Sequence, residues 1–241
     1  MPRLERIDPL PALLCGKFVS FVGGGGKTSL AEYLGGQAAR RGKRAVLTTT
    51  TRIKADLPYL IFGEKGLPKG AYAGGFARVG KSVEEGKLTA LSADEVESLG
   101  AECDFVLIEA DGAKRLPLKY PADYEPVIPP FSDLIVVVAG LDALGAAIAR
   151  EVFRWQLFTE VAGVSGEAEI TPAVFMRLFE KDALMKGVDP SRCVIFLNKY
   201  DACKRKEAVA ALALALSRQT GAGRVIVASV REGLFYGVAG D

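Results

Sequence analysis

A three-layer α/β fold, with a mostly parallel sheet flanked by helices and a small hairpin insert, is predicted by three stretches of this sequence. Phe18–Ser29 (FVSFVGGGGKTS) is a short apolar run, then four glycines and Lys-Thr-Ser, and good helix formers follow to about Arg41. Phe105–Gly112 (FVLIEADG) and Arg192–Asp201 (RCVIFLNKYD) each carry an unbroken apolar run that ends in acids or amides. Such runs mark strands covered by helices on both faces, with polar groups emerging where the strand stops.

The first stretch reads as strand, glycine loop, helix. Glycines 23, 24, 25 and 26 lack a Cβ, so backbone N–H groups can close on an anion. The new helix adds unsatisfied N–H groups at Lys27, Thr28 and Ser29 and the positive end of its dipole. Lys27 reaches toward β- and γ-phosphates, and the Thr28 hydroxyl is a ligand for Mg²⁺. This is the chemistry of a nucleoside triphosphate site, and the fold expected around it is a P-loop NTPase. Lys27 is expected on an exposed loop, where its removal costs little stability. The usual pattern wants glycine where Phe21 stands, so only the shorter form Gly23-x-x-Gly26-Lys27-Thr28 is matched. Mur-type ligases use loops of that shorter kind, which keeps ATP open beside other nucleotides. A glycine-rich turn with an incidental lysine is the plain alternative, and the order of strand, glycines, Lys-Thr and helix argues against it.

With 241 residues and 49% hydrophobic content, residues 1–241 can bury one large core as a single domain. The formal charge of +2, from 31 basic and 29 acidic residues, gives no case for a nucleic acid partner. No apolar run reaches eighteen residues and no signal-peptide pattern is present, so no membrane is expected and a cytoplasmic location is. Cys15, Cys103, Cys193 and Cys203 form no C-x-x-C pair and the sequence has no histidine. Zinc, a disulfide framework and histidine-activated nucleophiles are therefore not suggested.

Residues 1–16 carry Pro2, Pro9 and Pro11 and read as a lead-in arm. Arg44–Ile53 reads as a buried strand ending in Thr48–Thr51, at the strand end where ligands gather in α/β sheets. Of these threonines Thr49 is the candidate for Mg²⁺ or a γ-phosphate, set against a plain role as a β-branched strand residue. Residues 59–62 and 71–79 look like short strands of a hairpin extension beside the sheet. Gly66, Pro68 and Gly70 divide them, and Gly74 and Gly75 suggest bulges. Ser92–Glu95 is a capping box, and Gly100 is expected to close the helix it opens.

Glu109 and Asp111 emerge at the end of the 105–109 run, where one of them would hold Mg²⁺ directly or through water. The N–H of Gly112 is then a donor for a γ-phosphate. Residues 113–130 are too rich in proline for a helix or a central strand, and a long loop after such a strand is usually functional. In it Lys114, Arg115 and Lys119 are candidates for phosphates or an anionic substrate, Glu125 for a polar anchor, and Arg115 for the one arginine acting on hydrolysis in cis. Residues 134–139 read as another buried strand, and 146–162 and 172–179 as helices, the latter capped by Thr171. Phe153, Trp155 and Phe158 are expected in the core.

The third stretch ends in Asn198-Lys199-Tyr200-Asp201, the guanine-reading pattern Asn-Lys-x-Asp. The Asp201 carboxylate can accept from N1–H and the exocyclic amine of guanine, which adenine cannot offer in that arrangement. Lys199 would lie along the base plane. Residues 224–229 form a last buried run ending in Ala-Ser, and Ser229 stands where backbone N–H groups reach the base oxygen. The residues thus point to a Mg²⁺-dependent GTP-binding protein whose hydrolysis is slow. Three alternatives remain: an ATP-dependent ligase or kinase acting on a small acid or nucleotide cofactor, a nucleotide-gated binding module without turnover, and an interaction protein that binds no nucleotide.

Taken together, Val22–Ser29, the Thr48–Thr51 turn, Glu109–Pro129, Val138–Gly145 and Leu197–Asp201 resemble the YqeC family over nearly the whole sequence. That family is described as accessory proteins of selenium-dependent molybdenum hydroxylases. The resemblance implies a role in maturing such enzymes, with a maturation protein or client enzyme as partner. Members tend to carry a histidine before Glu-Pro-Val-Ile-Pro, where Tyr124 stands here. A wider resemblance is to the metallocentre-assembly GTPases, which share the phosphate loop, a strand-end glutamate and Asn-Lys-x-Asp. The extra lysine that some of them carry near the start of the loop is absent.

Overall fold

The computed structural model describes residues 2–56, 58–64, 66–68 and 75–239. In chain order its strands are β1 (Arg3–Arg6), β2 (Phe18–Gly23), β3 (Ala45–Thr49), β4 (Arg52–Lys54), β5 (Tyr59–Ile61), β6 (Phe76–Gly80), β7 (Val83–Glu84) and β8 (Lys87–Thr89), then β9 (Phe105–Glu109), β10 (Leu118–Lys119), β11 (Leu134–Gly140), β12 (Val152–Phe153), β13 (Cys193–Asn198), β14 (Arg224–Ser229) and β15 (Leu234–Ala239). The α-helices are α1 (Leu10–Leu13), α2 (Lys27–Arg40), α3 (Ala93–Glu102), α4 (Ile148–Glu151), α5 (Trp155–Ala162), α6 (Pro172–Arg177) and α7 (Lys206–Thr220).

Among the described residues ten strands form the main sheet, in the order β1-β15-β14-β13-β11-β2-β9-β3-β6-β5. From β14 to β5 every neighbouring pair is parallel, while β15 and β1 add antiparallel pairings at one edge. The central strands are apolar throughout because both faces are covered: all seven residues of β11 and all six of β13 are buried. Val19 and Phe21 pack with Leu13 of α1 and with Leu30, Ala31 and Leu34 of α2 on one face. On the other, Val22 packs in one cluster with α5, α6 and α7, and Val106 and Ile108 pack with α3. The result is helix, sheet, helix. Within α7, Val209, Leu212, Ala213 and Leu216 are buried, the i, i+3, i+4, i+7 spacing of one helix face.

The path of the chain positions the site. From β2 it runs to β3, β5 and β6 on one side, returns to β9 beside β2, and crosses to β11, β13 and β14 on the other. The direction of progression thus reverses around β2, and a crevice opens outside the carboxyl ends of strands at such a point.

Several local expectations are corrected. The first sixteen residues are not an arm: β1 pairs with β15, and Leu10, Ala12 and Leu13 of α1 are buried. β15, a partly buried strand between β1 and β14, has no counterpart among the sequence expectations. The 59–62 and 71–79 runs do not form a hairpin; β5 and β6 are parallel to each other and extend the main sheet, and residues 71–74 lie outside the described residues. The hairpin is β7–β8, which pairs with β4 in a separate three-stranded sheet. Gly100 lies inside α3, where a Cβ would come within 2.5 Å of the Phe18 ring, so it serves close packing and not termination. The 146–162 helix is broken by β12, which pairs with β10, and of its three aromatics only Phe158 is buried. The caps at Ser92 and Thr171 form as expected.

Candidate functional site

The glycine loop joins β2 to α2. Gly26 is the N-cap of α2 at φ 116°, a conformation that L-residues avoid, and no side chain caps this helix. Gly25 is pressed against the end of β11: a Cβ there would lie 2.3 Å from the Gly140 nitrogen. The loop therefore admits only backbone, and the N–H groups of the first turn of α2 have no partner inside the helix.

Lys27 is buried, contrary to the expected exposed position. Its ammonium donates to the Gly23 carbonyl at 2.5 Å and stands 3.0 Å from Asp111 Oδ1, whose other oxygen accepts from the Gly23 N–H at 2.9 Å. Thr28 donates its hydroxyl to Glu109 Oε1 at 2.5 Å, and Thr49 Oγ1 donates to the Glu109 carbonyl at 3.0 Å. The acids reach the loop because β9 lies beside β2 with Phe21 opposite Glu109. Thr49 comes from β3 on the far side, itself opposite Glu109. Ser29 lies exposed in the first turn of α2.

Burial pushes the Glu109 carboxyl above its ordinary range, against the opposing pull of the Lys27 charge and the Thr28 hydroxyl. The pair Thr28–Glu109 sets a hydroxyl and a carboxylate side by side, hard oxygen donors of the kind Mg²⁺ takes. Asp111 is differently engaged. Besides Lys27 and Gly23 it meets Lys119 Nζ at 3.0 Å.

Residues of the third stretch reach the same rim. Asn198, at the end of β13, donates its amide to the Gly25 carbonyl at 2.9 Å and accepts from the Val230 N–H at 3.2 Å. One side chain thus ties the glycine loop, β13 and the end of β14 together. Asp201 Oδ1 accepts from the Ser229 hydroxyl at 2.7 Å. Lys199 adopts a left-handed backbone, φ 62°, and pairs with Asp142 at 2.7 Å.

The loop after β9 covers the glycines. Leu116 O accepts from the Gly25 N–H at 3.0 Å, Pro117 O from the Gly140 N–H at 2.8 Å, and Val138 O of β11 from the Gly24 N–H at 2.9 Å. Arg115 is exposed at φ 65°, next to Lys114 at φ 46°. Gly112 is exposed at the start of this loop. Lys119 is fully buried, bonded to the Gly112 carbonyl at 2.9 Å and to Glu125 at 2.7 Å, and Glu125 also pairs with Arg154. Burial works against the Glu125 carboxylate, yet the hydrogen bonds from Arg154 and Lys119 outweigh it and hold its pKa below the usual range. Tyr124 stands at the surface, where its hydroxyl accepts from Arg154 at 3.1 Å.

Sequence reasoning named Lys119 and Glu125 but missed Arg154 and Asp142. Asp142 lies two residues beyond the buried β11, the same offset at which Asp111 follows β9. Arg154 carries no comparable local signal, since it reads as one residue of a continuous helix.

Loop, acids, threonine and amide define the class: an α/β protein whose polar residues from β2, β3, β9, β13 and β14 meet at the carboxyl rim of a mostly parallel sheet. Residues 19–156 match the family model described as "YqeC protein". A protein of Escherichia coli (strain K12), described as "Uncharacterized protein YqeC", is 30% identical over 197 residues, covering 77% of this chain and 77% of that protein. The chain belongs to the YqeC family. Among the described residues no helix is long and apolar enough to cross a membrane.

Proposed function

We propose that this protein is a P-loop NTPase that binds GTP with Mg²⁺ at the rim and hydrolyses it slowly, acting in the cytoplasm as an accessory factor in the maturation of selenium-dependent molybdenum hydroxylases. The observation that carries the nucleotide reading is the meeting of three stretches far apart in sequence: Lys27 with Asp111, Thr28 with Glu109, and Asn198 with the Gly25 carbonyl. Backbone N–H groups of residues 26–29, that of Gly25 once Leu116 is displaced, and the Lys27 ammonium take the phosphates. Thr28 and Glu109 hold the metal, with Thr49 beside them; a bound Mg²⁺ offsets charge on the β- and γ-phosphates. Asp111, already shared between Lys27 and Lys119, orients the lysines and reaches the metal only through water. Ser229 fixes one oxygen of Asp201 and so aims the carboxylate at the guanine edge, with Lys199 along the base. Arg115 is the cis arginine; without one supplied by a partner, hydrolysis lacks a factor of about 10³ to 10⁵. The maturation role rests on the family resemblance alone, and its partner would be a maturation protein or client enzyme.

Equilibrium titration with GTP and ATP, with and without Mg²⁺, tests this reading. GTP is expected to bind about ten- to over a hundredfold more tightly than ATP, from charge-assisted bonds of about 1.5–3 kcal/mol. Asp201→Asn should erode that preference and move it toward xanthosine triphosphate, whose extra carbonyl accepts from the new amide. Equal affinity for ATP and GTP in the wild type would overturn the guanine assignment. A second reading, ATP-dependent transfer to a small acid, is favoured by one observation, a basic cleft at the start of the loop after β9.

A further inference from the structure

That cleft has a volume of about 440 Å³ and opens between the end of β3 and the loop after β9, with Thr51, Arg52, Gly112, Lys114, Phe153 and Arg154 in its wall. Thr51 is two residues beyond Thr49, and Gly112 directly follows Asp111. Three cations line it against one acid, Glu125.

The cations are held in place by more than ion pairs. The Arg154 guanidinium lies 4.6 Å from the centroid of the Phe153 ring and the Lys114 ammonium 5.3 Å from it, so one aromatic ring gathers two like charges. Lys114 and Arg154 are two of the five non-glycine residues with positive φ among the described residues. Left-handed backbone costs free energy at residues with a Cβ and persists where surrounding structure enforces it. Glu125, kept ionised by Arg154 and Lys119, neutralises only part of this charge. Arg52 is paired with Glu84 at 2.7 Å, but both side chains are half exposed, and such a pair holds its members weakly. Like charges gathered around one ring, with an uncompensated excess, are what an anion would relieve.

The cleft is also wired to the glycine loop. Lys27, Asp111, Lys119, Glu125 and Arg154 form an unbroken chain of alternating charges, with Lys119 buried at its centre. Moving charge at either end alters the balance along the whole chain.

We propose that the cleft is a binding site for a second, small anionic ligand bearing a phosphate or carboxylate group, held by Lys114, Arg154 and Arg52. Its place beside a triphosphate rests on the phosphate-loop reading, whereas its affinity for an anion does not. The heat of binding is followed by calorimetry while inorganic phosphate, and separately citrate, is titrated into the full chain at constant ionic strength. A saturable change with either anion is expected, phosphate alone or citrate alone identifying which group the site takes. Lys114→Gln, at an exposed position, should fold normally and weaken that binding about tenfold or more. The titration is repeated with the protein saturated by a non-hydrolysable GTP analogue. A signal that persists separates this site from the phosphate loop. A signal that the analogue abolishes overturns the proposal, because the anion then sits in the loop. No saturable change with either anion, or undiminished affinity in Lys114→Gln, also overturns it. Should the analogue itself fail to bind, the nucleotide reading falls while the Lys114→Gln comparison still decides the cleft.

Discussion

Lys27 and Glu109 are both buried charges, and they differ in how the fold treats them. Lys27 is matched by Asp111, so removing it breaks a buried pair, a change that costs about 3–5 kcal/mol when nothing replaces the partner. Lys119 remains on Asp111, and the cost for Lys27→Ala should therefore fall below that range, at about 1–3 kcal/mol. A shifted urea midpoint together with lost triphosphate binding is the expected outcome; a variant of wild-type stability would show that the pair contributes nothing. Glu109 is the opposite case, because burial raises its pKa. Between the ordinary glutamate value and the raised one, the folded state keeps a proton that the unfolded state has released. Stability must fall as pH rises through that window and stay lower above it. Glu109→Gln has no charge to bury, so its melting temperature should gain on the wild type from acid to neutral pH while Mg²⁺-dependent nucleotide binding is lost. Parallel melting curves against pH would refute this.

The element that stands between the site and its proposed ligand is the loop from Gly112 to Pro117. Its Leu116 carbonyl occupies the Gly25 N–H, and Lys119 anchors its far end in the interior. A phosphate is a stronger acceptor than a carbonyl, and one arriving at Gly25 must displace Leu116. Arg115, directly before Leu116, is exposed in left-handed backbone on the same loop, which makes it the readout. Limited trypsin digestion should cut after Arg115 faster when Mg²⁺ and GTP are present, by a factor on the order of ten as the stretch around Leu116 opens locally while Lys114 stays on the Phe153 ring. Identical digestion with and without nucleotide would mean that the loop stays closed.

Across the molecule, Asn198 is the residue through which the two halves of the sheet meet at the rim. It grips the loop that leaves β2 and the turn that follows β14, and both its bonds are made to backbone. Asn198→Ala leaves the Gly25 carbonyl and the Val230 N–H without partners, at about 1–3 kcal/mol for a buried group so abandoned. Because Asn198 holds the loop, its loss should weaken GTP and ATP binding by similar factors, whereas Asp201→Asn should change only their ratio. If Asn198→Ala altered the GTP-to-ATP ratio and left overall affinity intact, Asn198 would have to be placed on the base instead.

Periodicity and punctuation were enough to predict the alternation of buried strands and helices, since runs such as Leu134–Gly140 have no use for so much apolar surface unless helices cover both faces. Local chemistry was enough to single out Gly23–Ser29, Glu109, Asp111 and Asn198–Asp201, because glycine runs and polar residues just past apolar strands are visible without knowing what they face. Strand order was not visible. β5 and β6 looked like a hairpin because short, glycine-separated strands are alike in sequence whether they pair with each other in parallel or turn back. The first sixteen residues concealed an edge strand because β1 is short and mostly exposed, so it shows no apolar run. The partners of each charge were likewise decided by the tertiary structure alone: the pairing of β9 with β2 brings Asp111 to Lys27, and the return of the chain through β10 and β12 carries Lys119 and Arg154 to Glu125. A side chain's neighbours across a sheet are set by register and topology, which depend on the packing of the whole core and not on the residues beside it in the chain.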